Sequence, residues 1–276
     1  MNDRETRRRI RKQVAALALA ISVALGSRVP AAEQTATGPE KKATVAGEDG
    51  LRTLRRLPAN LGRGILGVFH RDTLMPLVVG GVATGGAWVL DEDMRGWINP
   101  EPGDGWGQAL ETGGGPVWSS VFVASLFTAG RISKNTRFRA ATYDALDAAV
   151  MNVVYFQSIK LVAQRTRPNG SNDQSFPSGH TSNAFALATV AERHYGWKMG
   201  VPAYLLAGVM GASRMKQDMH YFSDVMAGAT LGYIVGRTVV RVNSRPLAGG
   251  SGQGASLHVA PIVARRARGV QLSLSF

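Results

Sequence analysis

Long apolar blocks separated by breaking residues occupy the middle of the chain. The blocks are rich in Ala, Leu and Val, and Gly, Pro or charged residues stand between them. They are longer than ordinary strands, and their Gly, Ala and Ser content suits closely packed helices. The six blocks cover residues 74–90, 117–129, 141–163, 182–194, 201–215 and 223–240. We therefore expect an all-α fold, a helical bundle of about six core helices.

Two further stretches flank or interrupt these blocks. Residues 51–69 carry leucines at roughly helical spacing with arginines among them, and Pro58 and Gly62 predict two short helices there. A solvated basic face is the ordinary interpretation of this stretch, and a helix lying on a membrane surface is the alternative. Residues 91–115 are rich in Gly, Pro and acidic side chains, which predicts an ordered excursion at the rim of a pocket.

The C-terminal part of the chain changes pattern. Residues 243–256 are rich in Gly and Ser and read as a linker. Residues 257–263 and 270–276 alternate apolar and polar side chains around a basic turn, which predicts a short β-hairpin over residues 257–276. The helical domain is therefore expected to span residues 51–242.

The N-terminal part has the layout of an exported protein. A cluster of arginines is followed by a short apolar run and small residues, the order of a secretory signal peptide over residues 1–32. An uncleaved amphipathic anchor helix is the alternative. Residues 33–50 have almost no bulky apolar side chains and read as a linker. We expect export to the periplasm of a Gram-negative bacterium, with membrane association left open.

Composition narrows the chemistry. The chain of 276 residues has no cysteine, which excludes disulfides, thiolate metal sites and cysteine nucleophiles. Its formal net charge of +13 suits an anionic substrate or a membrane surface. No aromatic side chains are interleaved with a basic patch, so we expect no nucleic-acid partner. The mean hydropathy of −0.04 argues against a chain embedded mostly in lipid, and no block is both long and uncharged enough to require a membrane span.

The first candidate site segment is KLVAQRTRP, residues 160–168. Lys160 and Arg167 are seven residues apart, nearly two helical turns, so one helix face can present both cations before Pro168 ends the helix. A planar arginine and a point-charge lysine together suit a doubly charged oxyanion. Basic residues that simply face water are the alternative. Arg165 receives no role.

The second segment is FPSGHTS, residues 176–182. Ser178 and Gly179 open a helix, whose first backbone N–H groups lack acceptors and form a ready anion site. His180 beside them could donate a proton. An ordinary N-cap by Ser178 or Thr181 is the alternative for this segment alone.

The third segment runs from Ser213 to Asp224. His220 and Asp224 are four residues apart, so the carboxylate can fix the imidazole tautomer and leave the other ring nitrogen free as a base or nucleophile. Arg214 adds a third cation for a phosphate. A His–Asp pair with a purely structural role is the alternative.

Together the three segments form the pattern K-x6-RP, PSGH and SR-x5-H-x3-D. This pattern resembles the three-part signature of the type 2 phosphatidic acid phosphatase (PAP2) superfamily, with every specified position present in order. The superfamily includes bacterial acid phosphatases, lipid phosphate phosphatases and vanadium haloperoxidases. The resemblance covers about residues 142–240 and leaves the linkers, the acidic stretch and the hairpin outside it.

The resemblance implies a role for each matched residue. His220 would attack phosphorus to form a phosphohistidine, Asp224 would orient it, and His180 would protonate the leaving oxygen. The groups implied to hold the phosphoryl oxygens are Lys160, Arg167, Arg214, Ser178 and Gly179. These cations would take the place of a metal, so we expect neither a metal ion nor a cofactor.

The resemblance leaves the substrate open. We expect a metal-independent phosphatase for a phosphorylated lipid such as phosphatidic acid, or for a small-molecule phosphate ester. An isoprenoid pyrophosphate phosphatase and a vanadium-dependent haloperoxidase are the alternatives on the same site. A non-enzymatic envelope interaction protein is a further alternative, disfavoured by the intact set of motif positions.

Overall fold

The structure, a computed structural model, describes residues 52–98 and 116–244, and the backbone alone of residues 116–119, 256–264 and 267–275. The predicted signal peptide and first linker lie outside the described residues, as does most of the second linker. The chain divides into two compact units, Met1–Ser244 and Arg245–Phe276.

The described part of the first unit is helical. Its elements, in chain order, are a 3₁₀ turn Leu54–Arg56, α1 Leu57–Gly67, a 3₁₀ turn Arg71–Thr73, α2 Leu74–Val89, α3 Asp91–Ile98, α4 Pro116–Ile132, α5 Thr136–Ala163, α6 Gly179–Tyr195, α7 Trp197–Lys216 and α8 Phe222–Asn243. The predicted all-α class is confirmed for this part of the chain. The number of core helices stays a prediction.

In the second unit two strands pair antiparallel. Strand β1 spans Ser256–Ala264 and β2 spans Ala267–Ser275. Ser256 stands opposite Ser275, and Ala264 stands opposite Ala267.

The expectation of two short helices over residues 51–69 was wrong. After the 3₁₀ turn Leu54–Arg56, one α-helix, α1, runs unbroken from Leu57 to Gly67 with Pro58 in its first turn. Proline is tolerated there because the first N–H groups of a helix have no intrahelical acceptor. Gly62 lies inside α1 and faces open space, so it costs helix propensity but does not interrupt the helix.

The main apolar core lies between α5, α6 and α8. Small residues such as Ala148 and Ala186 let these helices approach closely, and Val235, Val239 and Met151 fill the remaining space. A second cluster contains Leu90, Met94, Met215 and Val225 and packs short helix α3 against the end of α7 and the start of α8. This second cluster lies beside the segment that carries His220.

A row of glycines brings α8 against the backbone of α6. Gly228, Gly232 and Gly236 recur every four residues, so they share one face of α8. A Cβ atom at Gly228 would lie 2.5 Å from the carbonyl oxygen of Ser178, and one at Gly236 would lie 2.6 Å from that of Ala186. The close contact positions the start of α6 directly against the first turns of α8.

We expect Gly232→Ala to lower the free energy of unfolding by about 2–3 kcal/mol, because overpacking strains a tight helix contact. The new methyl group would overlap the carbonyl oxygen of Ser182, a backbone atom that cannot move without displacing α6. Thermal unfolding of the purified chain in detergent measures the effect. The matched control is Gly208→Ala in α7, where nothing lies within 4 Å and stability should not fall. Equal melting temperatures for the two variants would contradict this account of the contact.

Two helices are long and apolar enough to cross a membrane. By length and composition, α5 with 28 residues and α8 with 22 residues qualify. Large apolar side chains also face outward on α2 and α7, among them Val82, Val89, Leu205 and Leu206. Three charged residues of α5, Asp144, Asp147 and Lys160, are buried instead, and Asp144 pairs with Arg52. Membrane association is therefore supported by the outer surface of the helical unit.

Candidate active site

The first segment places its two cations differently from the prediction. Helix α5 ends at Ala163 because Gln164 adopts a left-handed conformation, with φ of 43°, four residues before Pro168. Lys160 therefore lies in the last turn of α5, whereas Arg167 lies in the following loop, so they do not share a helix face. Both reach the same site nonetheless. Lys160 is buried, and its Nζ donates to the carbonyl oxygen of Gln174.

The loop after α5 is held by its own hydrogen bonds. Arg167 Nε donates to Asn172 Oδ1 over 2.9 Å, and its Nη1 lies 3.3 Å from Met219 Sδ. The backbone N–H of Asn169 donates to the carbonyl oxygen of Asp218 over 3.0 Å. These contacts tie the first segment to the third and direct Arg167 toward His220's loop.

The second segment forms the start of α6. Ser178 is the N-cap residue, but its side chain does not cap the helix, and its Oγ pairs with Thr181 Oγ1 at 2.9 Å. The first intrahelical bond runs from the Ser182 N–H to the Ser178 carbonyl. The N–H groups of Gly179, His180 and Thr181 therefore have no acceptor within the helix, as an anion site requires.

The third segment folds back on the end of α7. The N–H groups of Met219 and His220 both donate to the carbonyl oxygen of Arg214, at 3.1 and 3.3 Å. Both His220 and Arg214 are buried. The Ser178 N–H donates to the carbonyl oxygen of Asp224 over 3.0 Å, which joins this segment to the start of α6.

The predicted His–Asp pair is present. His220 Nδ1 lies 3.7 Å from Asp224 Oδ2, longer than a direct hydrogen bond, and has no hydrogen-bond partner among the described residues. The Asp224 carboxylate is fully buried and accepts from the Tyr221 N–H over 2.8 Å and from the Ser175 hydroxyl. Nδ1 thus faces the carboxylate, and Nε2 is the ring nitrogen left for chemistry.

Burial and positive charge depress the basicity of both histidines. Burial lowers the pKa of His220 to about 4, while Asp224 acts in the opposite direction. Burial also lowers the pKa of His180 to about 4, and the positive charges of Arg214, Arg167 and Lys160 contribute. His220 is therefore neutral at neutral pH, the form a nucleophile needs. Cations from the first and third segments therefore lie close enough to His180 to act on its charge.

Several residues at the site carry no signal that the sequence analysis recognised. Arg165 donates to Asp224 Oδ1 and to Asp91 Oδ2, and Ser175 donates to Asp224. Asp91 also accepts from the backbone and hydroxyl of Ser223. Arg165 stands in the motif segment itself, but its partners are remote in sequence. Asp91 lies in the acidic stretch, and nothing in the sequence distinguishes it from the charged residues beside it.

The predicted rim lies partly outside the described residues. Asp91–Ile98 form helix α3, in which Trp97 is 56% exposed, whereas Trp106 is not among the described residues. A small cleft beside His220 has α3 as one wall. Asp91 and Arg95 of α3 form this wall, and the other lining residues besides His220 are Pro168, Met215, Tyr221 and Phe222. Among residues 52–98 and 116–244, no group of three His, Asp or Glu side chains is arranged to hold a metal ion.

The sequence of this helical region matches a known family. The family model of the PAP2 superfamily matches residues 138–246, a range that includes all three site segments. This match confirms the resemblance drawn from the motifs, and it shows that residues 138–246 are similar to the PAP2 superfamily.

One curated relative matches part of this chain. The lipid A 1-phosphatase of Porphyromonas gingivalis is 40% identical to this chain over 96 residues. That match covers 34% of this chain and 21% of the relative, so the chain matches about a fifth of the relative's length.

Two solved structures are also similar. The crystal structure of LpxE from Aquifex aeolicus is 22% identical, with a TM-score of 0.38, and covers 55% of this chain and 95% of that one. A transmembrane PAP2 type phosphatidylglycerolphosphate phosphatase from Bacillus subtilis is 18% identical, with a TM-score of 0.40. Its match covers 68% of this chain and 86% of that one.

Proposed function

We propose that this chain is a metal-independent phosphatase that hydrolyses the phosphate monoester of a membrane lipid through a phosphohistidine at His220. One observation carries the proposal. Three segments, distant in sequence, bring a buried neutral histidine, its carboxylate and three cations to one end of the bundle. Phosphoryl transfer depends on positioning and on charge stabilisation, and this arrangement supplies both.

The proposed reaction has two steps. In the first, His220 Nε2 forms a bond to phosphorus as the bond to the lipid oxygen breaks, and His180, which takes up a proton when the phosphate dianion binds, gives this proton to that oxygen. Asp224 offsets the positive charge that develops on the imidazole. In the second, His180 takes a proton from water, whose oxygen attacks phosphorus and displaces His220 Nε2. Inorganic phosphate leaves, and both histidines return to their starting states.

The oxygens of the transferred group carry the negative charge. The groups proposed to hold them are the side chains of Lys160, Arg167, Arg214 and Ser178 and the backbone N–H of Gly179. Arginine offers a planar fork and lysine a point charge, so together they can surround the three equatorial oxygens. The N-terminus of helix α6, which is the positive end of its dipole, further stabilises the negative charge of these oxygens.

Two observations support a lipid as the substrate. The outer surface of the helical unit carries exposed apolar side chains, and α5 and α8 are long enough to span a bilayer. The curated relative is named a lipid A 1-phosphatase. A site at one end of membrane helices would meet lipid head groups at the interface. We propose phosphatidic acid and the 1-phosphate of lipid A as the two substrates to compare first.

The proposed role of His180 predicts a difference between two pH profiles. The free site holds the pKa of His180 at about 4, and a bound phosphate dianion among the same cations should raise it. The profile of kcat/KM reports the free protein, whereas that of kcat reports the complex. We therefore expect the alkaline limb of kcat to lie about one pH unit or more above that of kcat/KM. Coincident limbs, or limbs unchanged in His180→Asn, would contradict the role of His180 as general acid.

Phosphate release from a panel of substrates tests the proposal. The full chain in mixed micelles with excess EDTA would receive phosphatidic acid, lipid A, an isoprenyl pyrophosphate and p-nitrophenyl phosphate. We expect the phosphomonoester lipids to be hydrolysed fastest. Faster release from p-nitrophenyl phosphate or from the pyrophosphate would overturn the proposed substrate class, and activity that requires an added divalent cation would overturn the metal-free mechanism. Bromide oxidation with vanadate and peroxide, without phosphate release, would favour the haloperoxidase alternative.

A further inference from the structure

The side chain of Arg165 joins two buried carboxylates at the edge of the site. Its Nη1 lies 2.8 Å from Asp224 Oδ1, and its Nη2 lies 2.8 Å from Asp91 Oδ2. Nη1 also donates to Ser223 Oγ over 2.7 Å. The guanidinium therefore forms a bridge between helix α3 and the first turn of α8.

The guanidinium of Arg165 also lies over two aromatic rings. Its central carbon lies 3.9 Å from the ring centroid of Trp88 and 4.1 Å from that of Tyr221. Stacking of this kind favours a flat, delocalised cation. A lysine would keep the charge but would lose both the planar contact and one of the two carboxylate bonds.

Asp91 holds the other end of the bridge. Besides Arg165, its carboxylate accepts from the Ser223 N–H over 2.8 Å and from the Ser223 hydroxyl over 2.7 Å. Ser223 directly precedes Asp224, so Asp91 fixes the backbone from which the His220 partner projects. One helical turn later, Arg95 donates to Asp218 over 2.9 Å and to the Pro168 carbonyl over 3.1 Å. Helix α3 is thus hydrogen-bonded to both segments that carry site residues, the loop after α5 and the segment between α7 and α8.

The two carboxylate oxygens of Asp224 have different hydrogen-bond partners. Arg165 takes Oδ1, whereas Oδ2 accepts from Ser175 and Tyr221 and faces His220 Nδ1. A carboxylate held at both oxygens cannot rotate, so Oδ2 stays directed at the imidazole. Loss of the Oδ1 bond would free this rotation and leave the tautomer of His220 less well defined.

We propose that Arg165, held in place by Asp91, is a positioning residue that acts through Asp224 to orient His220. This inference rests on the proposed function, since it assigns a role within that reaction. It goes beyond the family motifs, because Arg165 is not one of their specified positions and Asp91 lies outside the residues matched by the family model.

The kinetics of Arg165→Lys test the inference. Because Arg165 does not hold the phosphate in this account, we expect kcat to fall by about 10–100-fold and KM to stay within about threefold. The matched control is Arg52→Lys. Arg52 forms a comparable fork with buried Asp144, and the two arginine side chains are 14% and 16% exposed. Asp144 lies about 24 Å along α5 from Lys160. Both variants should melt at a lower temperature, but Arg52→Lys should retain kcat.

A double-mutant cycle separates positioning from general destabilisation. In an Asp224→Asn background the orienting carboxylate is already lost, so Arg165→Lys should reduce kcat by less than about twofold further. Independent structural damage would instead multiply the two losses. Equal kcat for Arg165→Lys and the parent, an equal loss in Arg52→Lys, or multiplied losses in the cycle would each overturn the inference while leaving the proposed function intact.

Vanadate binding gives a readout that does not depend on turnover. Vanadate adopts a five-coordinate geometry with the attacking nitrogen in place, whereas inorganic phosphate needs only the surrounding cations. Arg165→Lys should therefore weaken vanadate binding at least about tenfold more than phosphate binding. Equal weakening of both would overturn the positioning role. A folded parent that neither releases phosphate nor binds vanadate would overturn the proposed function, and this inference with it.

Discussion

Replacing His220 by alanine is expected to reduce phosphate release by about 10⁴-fold or more, the largest effect of any single substitution in this chain. The proposed phosphoryl acceptor is Nε2 of this ring, and no other described side chain at the site combines burial, neutrality at neutral pH and an adjacent carboxylate. His180 cannot take its place. It lies in the first turn of α6 and has no carboxylate partner among the described contacts.

The His220→Ala measurement needs a control for folding and for general loss of a histidine. His70→Ala provides it, since the His70 side chain is 46% exposed and lies in the turn before α2. Both variants should bind inorganic phosphate with affinity close to that of the parent, because the cations remain. Turnover above about one per cent of the parent rate in folded His220→Ala would contradict the role of His220 as nucleophile.

The second large effect is expected for Asp224→Asn, which should lower kcat by about 10³-fold. The asparagine amide has nearly the same shape as the carboxylate but carries no charge, so it does not offset the positive charge on the imidazolium. It also has only one oxygen that can accept hydrogen bonds, where the carboxylate has two. Arg165 would also lose one of its two carboxylate partners, and Ser175 would lose its acceptor if the amide nitrogen turned toward it. We expect a lower melting temperature as well as slower turnover.

A buried carboxylate outside the site separates these two consequences. Asp147 on α5 is 1% exposed and accepts from Asn243 over 2.8 Å. Asp147→Asn should therefore alter stability without changing kcat, whereas Asp224→Asn should change both. If Asp147→Asn slowed turnover as much as Asp224→Asn, the special role of the His220–Asp224 pair would be contradicted.

The sequence marked the segments that the fold brings together, but it did not predict their local geometry. His180, His220, Asp224 and the three cations come to one end of the bundle from the segments that the motifs marked. The prediction that Lys160 and Arg167 share a helix face was wrong, because Gln164 takes a left-handed conformation that ends α5 early. Such a conformation is uncommon for glutamine and has no signal in the local sequence.

The bridge through Arg165 was not predictable from sequence for a different reason. Arg165 and Asp91 are 74 residues apart, and their pairing depends on how α3 packs against α7 and α8. Several arginines and acidic residues in the chain offered equally good partners by residue type alone. Only the tertiary fold selects one of them, whereas the motif spacings are properties of local segments.

The mean hydropathy of the whole chain is a poor guide to whether this protein associates with a membrane. The mean hydropathy of −0.04 argued against a chain embedded mostly in lipid. In the structure, Asp144 and Asp147 on α5 are buried among Arg52 and Asn243, and apolar residues such as Val153 and Val154 face outward on the same helix. An average gives inward and outward residues the same weight, although only the outward ones would meet lipid.

The measurement that tests the central claim most directly is capture of the covalent intermediate. The full chain in detergent would be mixed with phosphatidic acid or lipid A in excess EDTA and quenched with alkali within milliseconds, since phosphohistidine survives base. Peptide mass spectrometry would then locate any added phosphoryl group. We predict one phosphoryl group on His220 in the parent and none in His220→Ala. Rapid phosphate release with no phosphoryl group on His220, or with the group on another residue, would contradict the mechanism.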